Sequence, residues 1–260
     1  MFTTIKQVPS DFFNKVAFDS GVLVKNWDKT APTTITDSMI IAATTGDFSI
    51  ASKPSVIDLF EDVNGVPNGS KEGVFVESWE HTIGVTALNA SLEVIKYALG
   101  AADIDTDAGS VTPRLGLADQ TNDFIHLTWI GQTVDGGILA ADLQQALSVE
   151  GLEITTGKNT KGQFPLTIKG FYSIEDPDES PVAYYVFEPV YTVKFNSNGG
   201  STVSDQEVEK GGKVTQPSAP TKSNSTFGGW YKESTLTTAW NFGTDTVNGN
   251  ITLYAKWTTT

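Results

Sequence analysis

Ile251-Thr252-Leu253-Tyr254-Ala255-Lys256-Trp257 alternates residue by residue. Side chains along a strand point to opposite faces with a period of two, so Ile251, Leu253, Ala255 and Trp257 share one face while Thr252, Tyr254 and Lys256 share the other. That is the pattern of a half-buried strand. Tyr191-Thr192-Val193-Lys194-Phe195 has the same alternation, and Asn196-Ser197-Asn198-Gly199-Gly200 follows with residues that tolerate positive φ in a tight turn, as at the start of a hairpin. Between these runs lie Pro217, Pro220, Phe227-Gly228-Gly229-Trp230-Tyr231, Trp240 and Phe242. A domain this small needs all its apolar area, so Trp230, Tyr231, Trp240 and Trp257 are expected in an aromatic core. Residues 189–260 therefore read as a small β domain following a larger one over residues 1–188.

Charge divides the chain at the same place. Through Val190 there are 11 Lys and Arg against 26 Asp and Glu, a net −15, whereas residues 191–260 carry 6 against 5, a net +1. Binding nucleic acid requires clustered Lys and Arg to displace phosphate counterions, and within residues 1–190 only Lys158 and Lys161 fall within three residues of each other, so DNA binding is disfavoured. With 39% apolar and 10% aromatic residues the chain has enough material for real cores. Zero cysteines exclude disulfides and thiolate metal sites. No run approaches the ~18 apolar residues of a membrane-spanning helix, and Met1–Pro9 has no basic segment leading into an apolar one. The expectation is a soluble protein made in the cytosol, with no membrane insertion.

Residues 1–188 contain short strand-like runs separated by turn formers: 21–24, 39–43, 73–76, 124–130, 152–156 and 164–172. One segment makes a helix, with Leu88, Leu92, Ile95 and Leu99 on one stripe, Asn89 near the N-terminal cap and Gly100 at the stop. Ile138–Leu147 fits a shorter helix or a strand plus turn about equally. The resulting fold class is mainly β, a sandwich or barrel with one flanking helix, plus the small C-terminal β domain. Between Ile50 and Val74, a stretch with Pro54, Asn64-Gly65, Pro67 and Asn68-Gly69 reads as a long hairpin arm or loop, and segments of that length usually serve a function. Its polar and turn-forming residues Lys53, Pro54, Asp58, Glu61, Asp62, Asn64, Lys71 and Glu72 are the candidate contact residues. Residues 1–20 are a second candidate docking arm.

Catalytic and metal motifs fail on their own spacing. Asp103-Ile104-Asp105-Thr106-Asp107 begins like a calcium loop, but Ala108 stands where glycine is needed and Arg114 where the closing glutamate belongs. Gly151–Lys158 is similar to a phosphate loop with the wrong glycine spacing and Asn159 in place of Ser or Thr. His81 and His126 have no partner at a motif spacing and read as structural. Glu175-Asp176-Pro177-Asp178-Glu179 reads as a solvated turn, and the sequons at Asn68, Asn89, Asn224 and Asn250 matter only on a secreted protein. No enzyme activity, cofactor or metal is expected.

Two resemblances give these domains a setting. Val193-Lys194-Phe195, Asn198-Gly199-Gly200, Gly211-Gly212, Pro217, Pro220-Thr221, Phe227, Gly229-Trp230-Tyr231, Trp240, Phe242 and Leu253–Trp257 together resemble the Listeria-Bacteroides repeat, related to internalin B-repeats. This resemblance implies a β-grasp-like module of bacterial surface proteins that also decorates phage structural proteins. The order of Gly21–Lys25, Asn26-Trp27-Asp28, Ile40–Phe48, the 87–99 helix, Gly151–Thr156, Phe164–Thr167 and Pro181–Phe187 resembles the major tail tube proteins of long-tailed, non-contractile phages. That second resemblance implies hexameric rings stacked into a tube, with the 50–74 arm and the N-terminus locking one ring to the next and an acidic bore through which DNA slides unbound. It also implies tape measure and tail terminator partners, and a location in the virion tail after synthesis in the host bacterial cytoplasm. The alternative makes residues 189–260 a bacterial-surface or glycan-binding adhesin module, contacting the host surface through aromatics such as Tyr231 or Trp240.

Overall fold

The structure, a computed structural model, describes residues 17–44, 48–154, 164–176 and 179–259. It is mainly β, and the chain divides into two compact units, one comprising Met1–Val134 with Ile138–Val186 and the other Asp135–Gly137 with Phe187–Thr260.

In the first unit Gly21-Val22-Leu23-Val24 forms the middle of strand β1 (Ala17–Lys25), which is flanked by β2 (Ile40–Thr44) and β7 (Ile125–Thr133), both antiparallel. The further strands are β3 (Ser49–Asp58), β4 (Val74–Ala87), β8 (Ile138–Ser148), β9 (Phe164–Gly170) and β10 (Val182–Phe187). They pair in the order β10-β8-β7-β1-β2-β4-β3, and β9 joins β4 to β8. Six strands, β8-β7-β1-β2-β4-β9, thereby return to their starting point. The closure is narrow at two seams, Thr44 against Ala87 and Ala146–Ser148 against Ile168–Gly170. Inside lie Leu23, Ile83, Leu127, Trp129, Leu143, Leu166 and Ile168, none more than 2% exposed. The ring closes these six strands on one another, while β10 and β3 lie outside it as edge strands. β5 (Ala102–Asp105) and β6 (Ser110–Pro113) form a separate hairpin.

Two local expectations are corrected and one open alternative is decided. The helix α1 is Leu92–Leu99, capped by Ser91, whose hydroxyl accepts from Val94 N at 3.1 Å, and not by Asn89. Strand β4 holds the chain extended to Ala87, so Leu88 precedes the helix and Val94 and Ala98 become its buried residues. Gly100 ends it at φ 76°, donating its N–H to Lys96 O. Ile138–Leu147 is strand β8, and Leu152–Ile154 is not in a strand, while Thr155 and Thr156 lie outside the described residues, as do residues 1–16.

The second unit contains β11 (Val190–Asn196), β12 (Gln206–Glu209), β13 (Ser225–Tyr231) and β14 (Ile251–Thr259) in the order β12-β11-β14-β13. The two alternating runs sit at its centre, paired parallel with Phe195 opposite Leu253. Asn198 (φ 48°) and Gly199 (φ 85°) make the turn after β11. The core is Val193, Phe195, Val214, Trp230, Trp240, Val247, Leu253 and Ala255.

Candidate functional site

Long strands β3 and β4 pair from Ser49/Gly84 to Asp58/Val74, with a bulge between Ser55 and Val56. Only the C-terminal half of β4, His81–Ala87, is held on its other side, because β9 ends opposite His81 at Gly170. Beyond that point β3 and β4 form a two-stranded arm. All eight arm residues singled out from the sequence lie on it: Lys53, Pro54 and Asp58 in β3, Glu61, Asp62 and Asn64 in the connecting loop, and Lys71 and Glu72 in the 3-10 turn Lys71–Gly73. Asp58 closes the loop, accepting from Gly69 N at 2.7 Å and Phe60 N at 2.9 Å, and these bonds hold its carboxyl below the usual range. Residues opposite one another share a face, so the core-facing side of β4 continues outward through Ser52/His81, Pro54/Trp79 and Val56/Val76. On the arm that face is uncovered within the unit, and Trp79, Val56 and Val76 are exposed.

At the base of the arm a cleft of about 420 Å³ is lined by Ser52, Trp79, His81, Tyr172, Ser180, Val182 and Tyr184. Four segments meet here: β3, β4, the connection after β9, and β10. Ser52 Oγ lies 2.8 Å from His81 Nδ1 and also hydrogen-bonds the Tyr184 hydroxyl. His81 is 5% exposed, and its Nε2 is buried with no hydrogen-bond partner among the described residues. Burial lowers the imidazole pKa, favouring the neutral ring. The Trp79 ring runs parallel to that of His81, at 9° and 6.1 Å between centroids, and Tyr172 is tilted 47° to it at 6.4 Å. A serine beside a histidine suggests nucleophilic catalysis, yet a triad needs a third group orienting the base from its far side. Among the described residues no such group reaches His81 Nε2. By its sequence context His81 reads as structural, and no motif marks Trp79. The available signal was the i, i+2 spacing of Trp79 and His81 on one strand face; Ser52 and Tyr184 join them only through strand pairing.

Elsewhere in this unit several titratable residues are engaged structurally. Asp103, at the start of the calcium-like run, pairs with Arg114 Nε at 2.9 Å, and Asp105 caps its own turn by accepting from Asp107 N and Ala108 N. Arg114 also grips the buried Asp123, with Nη2 2.7 and 2.6 Å from its two oxygens. Asp142 accepts from Thr128 Oγ1 at 2.6 Å and Gln144 Nε2 at 3.0 Å, and lies 2.6 Å from His126 Nε2. Lys158 and Lys161 lie outside the described residues.

In the second unit the four singled-out aromatics divide. Trp230 and Trp240 are buried, while Trp257 packs against the core partly buried, its Nε1 donating to Ser197 O at 2.8 Å. Tyr231 is half-buried beneath Lys256, whose Nζ is 4.9 Å from the ring centroid. The opposite face of the sheet presents Thr192, Lys194 and Thr252, which with Asn250 and Ile251 line a shallow polar depression.

Residues 191–256 match the Listeria-Bacteroides repeat domain family. A "Putative Gly-rich membrane protein" of Evansella cellulosilytica is 57% identical over 67 residues, covering 26% of this chain and 8% of that protein. A "Putative membrane protein" of the same organism is 43% identical over 105 residues, 39% of this chain and 16% of its own length. Internalin H of Listeria monocytogenes is 44% identical over 69 residues, 26% of this chain and 12% of that protein. The chain thus spans less than a fifth of the length of each of these relatives. These findings correct the phage reading. The relatives are described as membrane proteins and an internalin, and none is described as a tail protein, so the tail tube function and the virion-tail location are withdrawn. The inter-ring role of Lys53, Pro54, Asp58, Glu61, Asp62, Asn64, Lys71 and Glu72 was an implication of that resemblance and falls with it. Among the described residues no helix is long and apolar enough to cross a membrane.

Proposed function

We propose that this chain acts at a bacterial surface as a non-catalytic binding protein, with the unit around residues 191–256 as an adhesin-type module. The observation that carries the reading is the match of those residues to the Listeria-Bacteroides repeat family. Similarity to proteins described as membrane proteins and to an internalin supports the surface setting. Packing bears on where such a module makes contact. Trp230 and Trp240 are committed to its core, so the contact falls on the opposite sheet face, with Thr192, Lys194 and Thr252. Co-sedimentation with purified bacterial cell walls tests the reading. The full chain should pellet with the walls, and a chain truncated after Glu188 should lose at least tenfold of the bound fraction. A full chain that stays in the supernatant, or a truncation that pellets equally well, would overturn it.

A further inference from the structure

We propose that the cleft at the base of the β3–β4 arm is a binding site for a neutral sugar ring. The inference goes beyond the surface reading, which rests on residues 191–256, because the cleft lies wholly in the first unit.

The unsatisfied atom is the strongest pointer. A buried polar group without a partner costs roughly 1–3 kcal/mol, and native structures seldom leave one without a reason. His81 Nε2 is such an atom, in a side chain lining an open cleft. Its other nitrogen is tied to Ser52, so the ring is fixed in place, with Nε2 buried beside the cleft and without a partner among the described residues. Ser52 and Tyr184 hydroxyls, already bonded to each other, add donors and acceptors whose hydrogens rotate to suit a ligand.

The lining also selects the chemistry. Among the described residues lining the cleft none carries a formal charge, and burial keeps His81 neutral. A phosphate, carboxylate or ammonium ligand would be stripped of water there with no opposite charge to compensate it. A purely apolar ligand would leave Nε2 unmet. What fits is a neutral molecule with an apolar face and a rim of hydroxyls. Trp79, Tyr172 and Tyr184 are exposed at the cleft and provide flat apolar surfaces with polar edges, the counterpart of the C–H face of a pyranose. The size, about 420 Å³, lies within the ~300–1,000 Å³ range of small-molecule clefts.

The test titrates the full-length protein with glucose, galactose, mannose and N-acetylglucosamine, with glucuronic acid and glucose 6-phosphate as charged counterparts, following saturation-transfer NMR and tryptophan fluorescence. At least one neutral sugar should bind saturably, and Trp79→Ala should weaken it at least tenfold. Trp79 is exposed, so its truncation leaves the fold intact; Tyr184→Phe, which removes only a hydroxyl, should also weaken binding. The proposal is overturned if no neutral sugar binds, if binding survives Trp79→Ala unchanged, or if the charged sugars bind more tightly. Wall co-sedimentation by the same Trp79→Ala protein separates the two readings, since a module acting through residues 191–256 would still pellet.

Discussion

Trp129 is fully buried, and two glycines make room for it. Phe48 stacks on its ring at 3.5 Å between centroids, and its Nε1 donates to Thr44 Oγ1 at 3.1 Å, whose hydroxyl in turn donates to Gly21 O at 3.0 Å. Gly21 and Gly131 face each other across the β1–β7 ladder, and a Cβ added at Gly131 would sit 2.2 Å from the indole. Gly131→Ala must therefore displace a ring fixed by stacking and a hydrogen bond. Overpacking of this kind costs about 1–3 kcal/mol. At roughly 2–4 °C per kcal/mol for a unit of this size, thermal denaturation should show a clear fall, and an unchanged midpoint would mean the indole is free to move. His81 makes a second prediction at this scale. Burial lowers its folded pKa, whereas the unfolded chain keeps the ordinary value near 6.5. Below about pH 6.5 the unfolded state takes up a proton that the folded state refuses, so stability falls as the pH drops through that window towards the lowered folded value. Urea denaturation at pH 7.5 and pH 5 should show this loss, and His81→Gln should show less of it. Equal losses in both proteins would assign the pH dependence to the carboxylates instead.

At the scale of elements, the arm is supported by little besides its own ladder. Beyond Lys53 and Glu80, β3 and β4 pair only with each other, and their apolar residues remain exposed. Replacing residues 54–79 with Asn-Gly, a two-residue turn whose twist suits a hairpin, should leave the first unit folded with a melting temperature within roughly 3 °C of the parent. The same protein should lose the cleft, since Trp79 goes with the arm. Failure to fold would show that the arm completes the core. Which elements the sequence discloses follows from how each is buried. β14 and β11 are legible because each has one inward face, so Leu253 and Ala255 alternate with Tyr254 and Lys256. β8 is not legible, because Ala140, Ala141, Asp142 and Leu143 are buried consecutively, and a run without alternation fits helix and strand equally. The start of α1 misleads because Leu88 fits the helical stripe by spacing, while the β4 ladder, a tertiary constraint, keeps the preceding residue extended. The arm is legible as a long excursion rich in turn formers. The cleft is not, since Ser52, His81 and Tyr184 come from three strands and share no sequence spacing.

Across the whole molecule, two separate cores predict two unfolding events. The first is built around Trp129 and the ring of strands, the second around Trp230, Trp240 and the parallel β11–β14 pair. Neither core cluster contains a residue of the other unit, so each has its own cooperative driving force. Calorimetry of the full chain should resolve two transitions, the one from the second unit contributing roughly 50 kcal/mol at about 0.7 kcal/mol per residue. Gly200 identifies which is which. It sits where a Cβ would lie 2.5 Å from Trp257 Cζ2 and 3.1 Å from Thr221 O, and Trp257 is held there by its bond to Ser197 O. Gly200→Ala should lower the second unit's transition by several degrees and leave the first in place. Gly131→Ala should do the reverse. A single transition that both substitutions shift equally would mean the units unfold as one, and a surface module able to act without its neighbour would then have to be sought in a shorter segment than residues 187–260.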